Sequence, residues 1–163
     1  ESAGYPGLSP AFQDLLQLTF SKQVLEEGMR LYPPAYAISR MALGPDEIEG
    51  AKIEKGDRIY LSIYGVHRNP KYWENPDEFN PDRFTPEAVE SRPKLAYMPF
   101  GAGARMCVGN HFAMMEMQMI ISMFVRRFNF KLAPGFDAEQ SPLLTLKPKH
   151  GIMMDVSPRE NAL

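Results

Sequence analysis

The chain has 163 residues, of which 44% are hydrophobic and 23% charged, with a formal net charge of −2. That size and composition suit one domain with a real core and exclude wholesale disorder. The near-neutral balance without a basic cluster leaves no footing for nucleic-acid binding. A single cysteine excludes an internal disulfide, so packing, a ligand or a partner must hold the fold.

The chain opens at Glu1 without an initiator methionine, a basic leader or an early apolar run, and so presents no visible signal peptide or anchor. With its lone thiol this fits a reducing, cytoplasmic setting. Residues 1–8 form a loose lead-in. Ser9 before Pro10 suits an N-cap followed by the first helical position. From Ala11 to Leu31 the apolar residues recur at helical spacing, and Pro33 and Pro34 end the pattern.

Between residues 36 and 63 short runs (YAISR, EIEGAKI, KGDRIYLSI) are punctuated by Gly50 and by Lys55, Gly56 and Asp57, which predicts a small antiparallel sheet. Residues 64–99 are rich in proline, asparagine and aromatics (HRNPKYWENPDEFNPDRF), an irregular length uncommon in compact domains. His67, His111 and His150 fit surface or structural roles. The helix expected at 110–128 is apolar on nearly every side, which predicts burial, with its methionines as adaptable filler. Its polar interruptions at Glu116, Gln118 and Ser122 leave it short of a membrane span. Residues 129–163 read as strands and tail, with LLTLKP and GIMMDV closing as a hairpin.

The single thiol, Cys107, lies in FGAGARMCVGN, between Gly101, Gly103 and Gly109 and just ahead of that helix. Glycines let backbone approach something flat or bulky. The helix starting at Asn110 offers unpaired amides and partial positive charge to a thiolate. Arg105, two residues before the thiol, suits an anionic group beside it. A thiolate next to an anion receiver points to a metallated organic anion.

Phe100, Gly103, Arg105, Cys107 and Gly109 resemble, position for position, the heme-ligand loop of the cytochrome P450 family. Glu27 and Arg30 in EEGMRLYPP resemble its Glu-x-x-Arg helix, and Arg83 in NPDRF the arginine of its meander; Asp82 stands where the family often has glutamate. At i, i+3 the Glu27 and Arg30 side chains share a helix face. Joined by Arg83, they would lock the 64–99 segment to the helix as a structural triad.

The resemblance implies an α+β, mainly α fold: the C-terminal part of the cytochrome P450 architecture, with a small antiparallel sheet and a buried helix after the cysteine loop. It implies one partial domain over 1–163: helices at 9–31, sheet at 36–63, meander at 64–99, ligand loop at 100–109, buried helix at 110–128, then strands and tail. By the same resemblance Cys107 is the iron ligand of heme b, Phe100 shields the sulfur, and Arg105 and Arg40 receive the propionates. Ala35, Tyr36, Ala37 and Ile38 resemble the strand that lines the substrate pocket. The implied reaction is insertion of oxygen from O2 into a small apolar organic substrate, with electrons from a flavin or iron-sulfur partner.

No stretch resembles the distal helix with its acid and alcohol pair, so no catalytic residue is assigned. The chain reads as a fragment, inactive alone and prone to self-associate or to bind a companion chain that covers the missing half. Two other readings compete: a non-catalytic heme-binding module and a heme-free interaction domain.

Overall fold

The computed structural model describes residues 12–159; the expected N-cap at Ser9 lies outside them. Two helices precede the prolines, α1 (Phe12–Leu15) and α2 (Thr19–Leu31). The last residues of α2 include a buried set, Glu27, Met29, Arg30 and Leu31. The chain leaves the helix at Tyr32, whose amide still donates to the Gly28 carbonyl at 2.8 Å before Pro33 stops the ladder.

The 36–63 region forms two antiparallel pairs. Strand β1 (Ala37–Met41) pairs with β4 (Arg58–Ser62), and β2 (Asp46–Ile48) with β3 (Ala51–Ile53). The second pair turns through Glu49 and Gly50, both at positive φ (48° and 84°). That is the conformation of a two-residue type I′ hairpin, and it explains the glycine there. Arg40 pairs with Ile59 and Ile38 with Leu61, which puts Ile38 and Arg40 on one face of β1 and Ala37 on the other.

Short helix α3 (Ile63–Val66) leads into the irregular segment, which holds a 3-10 turn at Pro81–Phe84, helix α4 (Pro86–Ser91) and a second 3-10 turn at Lys94–Ala96. Asn80 and Thr85 cap two of these by accepting from the Asp82 and Ala88 amides. Irregular as it is, this segment supplies the aromatic cluster of the core. Trp73, Phe84 and Ala96 are buried together, with Tyr72 and Tyr97 packed on them. The aromatic centroids lie 4.7 Å apart for Phe84–Tyr97 and 6.0 Å for Trp73–Phe84, within the range of favourable ring packing.

Helix α5 (Asn110–Arg127) begins where the sequence predicts it. Its burial differs from the expectation. The buried residues are the polar Gln118 and Ser122, while Phe112 (64%), Phe124 (50%) and Ile120 (48%) stand exposed. The physical reason is partial packing: α2 and α1 meet α5 along its length and β5 meets its C-terminal end, where Phe124 lies near Phe128 and Phe130, and this cover leaves Phe112 and Ile120 about half or more exposed. No helix among the described residues is long and apolar enough to cross a membrane.

The closing hairpin is also corrected. LLTLKP contributes β7 (Leu146–Pro148), which pairs with β6 (Gln140–Pro142), whereas GIMMDV contributes to β8 (Met154–Pro158), which returns to β5 (Phe128–Leu132) directly after α5. Leu146 N–H also donates to the Pro34 carbonyl at 2.9 Å, and Tyr36 Oη to the Leu143 carbonyl at 2.9 Å. The β6–β7 unit is thereby tied to the start of β1 and not to its neighbour in sequence.

Candidate functional site

Two structures flank one another here: a buried ion-pair network and an open cleft. In the network, Arg30 and Glu27 are both fully buried. Arg30 Nε donates to Glu27 Oε2 at 2.6 Å and Nη2 to Oε1 at 2.9 Å, a bidentate pairing. The remaining guanidinium donors go to the carbonyls of His67 (2.8 Å), Pro76 (2.6 Å) and Glu78 (3.1 Å). Glu27 Oε1 also accepts from the Asn80 amide at 2.9 Å. Arg83 Nε stands 3.5 Å from Glu27 Oε1, an ion pair without hydrogen-bond geometry, while its Nη2 donates to the Asn75 carbonyl at 3.0 Å.

A buried pair is tolerable only when its remaining donors and acceptors are matched. Here the irregular 67–80 backbone does the matching. The segment lacks regular hydrogen bonding because its carbonyls wrap a guanidinium.

The cysteine loop begins at Pro99–Phe100 and includes a 3-10 turn at Gly103–Arg105. Gly101 and Gly103 hold φ of +75° and +71°, a region that side chains disfavour. Gly109 differs: it caps α5 at φ −86°, and a Cβ there would lie 3.9 Å from Cys107 Sγ. That is an ordinary van der Waals separation, so neither the space beside the sulfur nor an unusual φ demands a glycine at this position. The Cys107 amide donates to the Phe100 carbonyl at 3.0 Å, and the thiol is exposed.

Above this loop lies a cleft of about 520 Å³. Of the residues marked by sequence, Phe100, Arg105, Cys107, Arg40, Ala35 and Ile38 line it. Gly103, Gly109, Tyr36 and Ala37 do not: the first two shape the loop's backbone, Tyr36 is engaged with Leu143, and Ala37 lies on the opposite face of β1. The strand alternation that brings Ile38 and Arg40 in is the same alternation that turns Ala37 away. Sequence reasoning missed Met29, Pro34, Pro99, Ala113 and Met117 in the lining. Ala113 and Met117 are four apart on α5, so their shared face was readable once a partner for that face was known.

The donor set suits a flat, largely apolar dianion bearing a metal: one exposed thiol, two guanidinium groups, and apolar walls from α2, β1 and α5. No group of three or more His, Cys, Asp or Glu side chains among the described residues is placed to hold a bare metal ion. The thiol therefore suits a metal that brings its other ligands with it.

Sequence reasoning also passed over the aromatic side of the network. The Arg92 guanidinium sits 4.3 Å from the Trp73 ring centroid and 4.9 Å from that of Phe84, and donates to the Arg83 carbonyl at 2.9 Å. Burial lowers its pKa. Tyr97, whose hydroxyl donates to the Glu26 carbonyl at 3.0 Å, has its pKa raised by burial and then by the Glu26 charge.

Known proteins are similar to this chain in sequence and in fold. The chain is 38% identical over 143 residues to the "Putative cytochrome P450 132" of Mycobacterium tuberculosis, covering 88% of this chain and 31% of that protein. It is 37% identical over 150 residues to the cytokinin hydroxylase of Arabidopsis thaliana, covering 91% and 29%. Among solved structures, the cytochrome P450DA heme domain superposes with a TM-score of 0.88 at 30% identity, covering 95% of this chain and 35% of that one. Retinoic acid bound cyanobacterial CYP120A1 gives 0.89 at 28%, covering 95% and 36%. The chain thus spans about a third of the length of the relatives it matches. The cytochrome P450 family model matches residues 5–156, nearly the whole sequence, and the chain belongs to the cytochrome P450 family.

Proposed function

We propose that this chain is the proximal, cysteine-bearing part of a heme-thiolate monooxygenase that oxidises a small apolar organic substrate. Its family is one of oxidoreductases that carry heme b, generally act on apolar substrates and draw on redox partners. The observation that carries the reading is the convergence of Cys107, Arg105 and Arg40, from two separate segments, on one apolar cleft.

Thiolate-ligated heme, when bound, activates dioxygen and delivers one oxygen atom to a C–H bond. The chain's own residues serve that chemistry by holding and insulating the group. Cys107 supplies the sulfur, beside the positive end of α5 where a thiolate is favoured. Arg105 and Arg40 receive the two carboxylates, since a planar guanidinium fits them bidentately. Phe100 keeps water from the sulfur side, and Ala35 and Ile38 present apolar surface to the substrate, with Tyr36 and Ala37 shaping that strand from behind.

The electron donor is a flavin or iron-sulfur protein, and the working location is the cytoplasm, a setting in which the single thiol stays reduced. The 163 residues by themselves bind heme weakly and do not turn over. The apolar flank of α5 is covered in the working protein by further structure, either a companion chain or a second copy, and the isolated chain self-associates through it.

Adding heme, reducing with dithionite and exposing to carbon monoxide tests the reading. A strongly red-shifted Soret band, absent from Cys107→Ala, is the expected result. An unshifted band in the unaltered chain refutes thiolate ligation, and no spectral binding at all favours a heme-free domain.

A further inference from the structure

His67 is fully buried yet lines no part of the cleft. Both of its ring nitrogens face backbone groups from different parts of the fold. Nε2 lies 2.9 Å from the Met98 amide, and Nδ1 lies 3.2 Å from the Arg30 carbonyl oxygen. An amide N–H can only donate, so Nε2 must accept. The single proton of the neutral ring therefore sits on Nδ1 and is donated to Arg30. That carbonyl belongs to the last turn of α2, where helix geometry leaves oxygens without intrahelical partners.

The relation is reciprocal, because the Arg30 guanidinium donates to the His67 carbonyl at 2.8 Å. The imidazole also stacks on Tyr97, with centroids 5.3 Å apart.

From Met98 the connection runs on to the thiol. The Met98 carbonyl accepts from the Gly101 amide at 2.9 Å, and the Phe100 carbonyl accepts from the Cys107 amide at 3.0 Å. We propose that His67 is a positioning residue for Cys107: as its Nδ1–H tautomer it fastens the Met98 amide to the end of α2 and so sets the turn that presents the sulfur to the cleft. A second tie, Tyr97 Oη to the Glu26 carbonyl, holds the same segment but leaves the Met98 amide to His67 alone. The spectroscopic part of the test rests on the reading of Cys107 as the heme ligand; the other two parts do not.

In the unaltered full-length protein, nitrogen NMR of the His67 ring at neutral pH is expected to show the neutral Nδ1–H tautomer. An Nε2–H tautomer or an imidazolium overturns the proposal without any variant having to fold. His67→Leu is expected to speed amide exchange of residues 98–107 by about 10-fold while the rest of the protein keeps its protection. His67→Gln, which restores an acceptor, is expected to recover most of it. Wild-type exchange in the leucine variant overturns the proposal.

In the ferrous carbon monoxide complex, His67→Leu is expected to convert much of the red-shifted Soret band to an unshifted one, and His67→Gln to retain it. Equal spectra in both variants overturn the positioning role. If the unaltered protein lacks the red-shifted band, the heme-thiolate reading fails instead, and the tautomer and exchange measurements still judge His67.

Discussion

The region around Arg30 and the region around α5 have opposite economies of polar and apolar groups. Around Arg30, a charged pair at zero exposure is matched donor for acceptor by backbone from residues 67–80, and aromatics close the space beyond it. Along α5, apolar rings face outward while Gln118 and Ser122 are the buried residues. The first region is self-sufficient within the chain. The second is organised for contacts that the described residues do not make, and its cleft face and its outer face are both open.

The sharpest way to break this contrast is to remove one member of the matched pair. Arg30→Ala leaves Glu27 buried with only the Arg83 charge and the Asn80 amide to match it, and strands three carbonyls. We expect a loss of about 3–5 kcal/mol in urea unfolding, the usual cost of leaving one buried charge uncompensated. A loss below about 1 kcal/mol, the scale of a surface pair, would mean that the network is ornamental to folding.

Acid probes the same region through His67. Burial, helped by the Arg30 and Arg68 charges, pushes its pKa down to about 4 from an ordinary 6.5. The unfolded chain then binds the extra proton first, so this group's contribution is complete above about pH 6.5 and is lost as pH falls toward 4. A shift of this size corresponds to roughly 3 kcal/mol at the bottom of the window. Carboxylates titrate there too. The measurement is therefore the difference between unaltered protein and His67→Gln in unfolding free energy from pH 7 to pH 4, and parallel curves would refute the assignment.

Much of the matched region was legible in sequence: its local half from helix geometry, and Arg83 from the family resemblance. Glu27 and Arg30 stand at i, i+3, so their meeting follows from helix geometry alone. The carbonyls of His67, Pro76 and Glu78 carry no side-chain signature, because any residue has one. His67 looked like an unassigned histidine for the same reason: both of its partners are backbone. The cysteine loop was legible because its constraints fall on side chains and on glycines at positive φ. The pairing of β8 with β5 was not, since short strands at the chain's end carry no register mark and Met154–Pro158 had a nearer candidate partner in β7. The outward rings of α5 were misjudged because composition reports how apolar a helix is, not which flank has company.

A smaller effect separates charge from ring packing in the matched region. Arg92 lies against Trp73 and Phe84 and is only partly buried. Arg92→Ala is expected to cost about 1–2 kcal/mol, part of it the cation–π contact and part the bond to the Arg83 carbonyl. A double-mutant cycle with Trp73→Leu checks the division. A coupling energy near zero would assign the whole effect to the carbonyl.

The smallest effect on stability belongs to the open flank, and its smallness is the point. Phe112 and Ile120 are exposed on α5. Replacing both by serine removes side chains of which about half or more already faces water in the monomer, so unfolding free energy should move by no more than about 1 kcal/mol at each site. Self-association should respond in the opposite proportion. Sedimentation velocity of the 163-residue chain is expected to show oligomers that shrink toward monomer in the double variant, because contact between copies takes those apolar side chains out of water. If the double variant instead unfolds several kcal/mol more easily and associates as before, the two side chains belong to the chain's own core and the two regions are alike after all. If it is neutral in both respects, the flank is apolar without being an interface, and the self-association proposal goes while the cleft and its thiol stand unaffected.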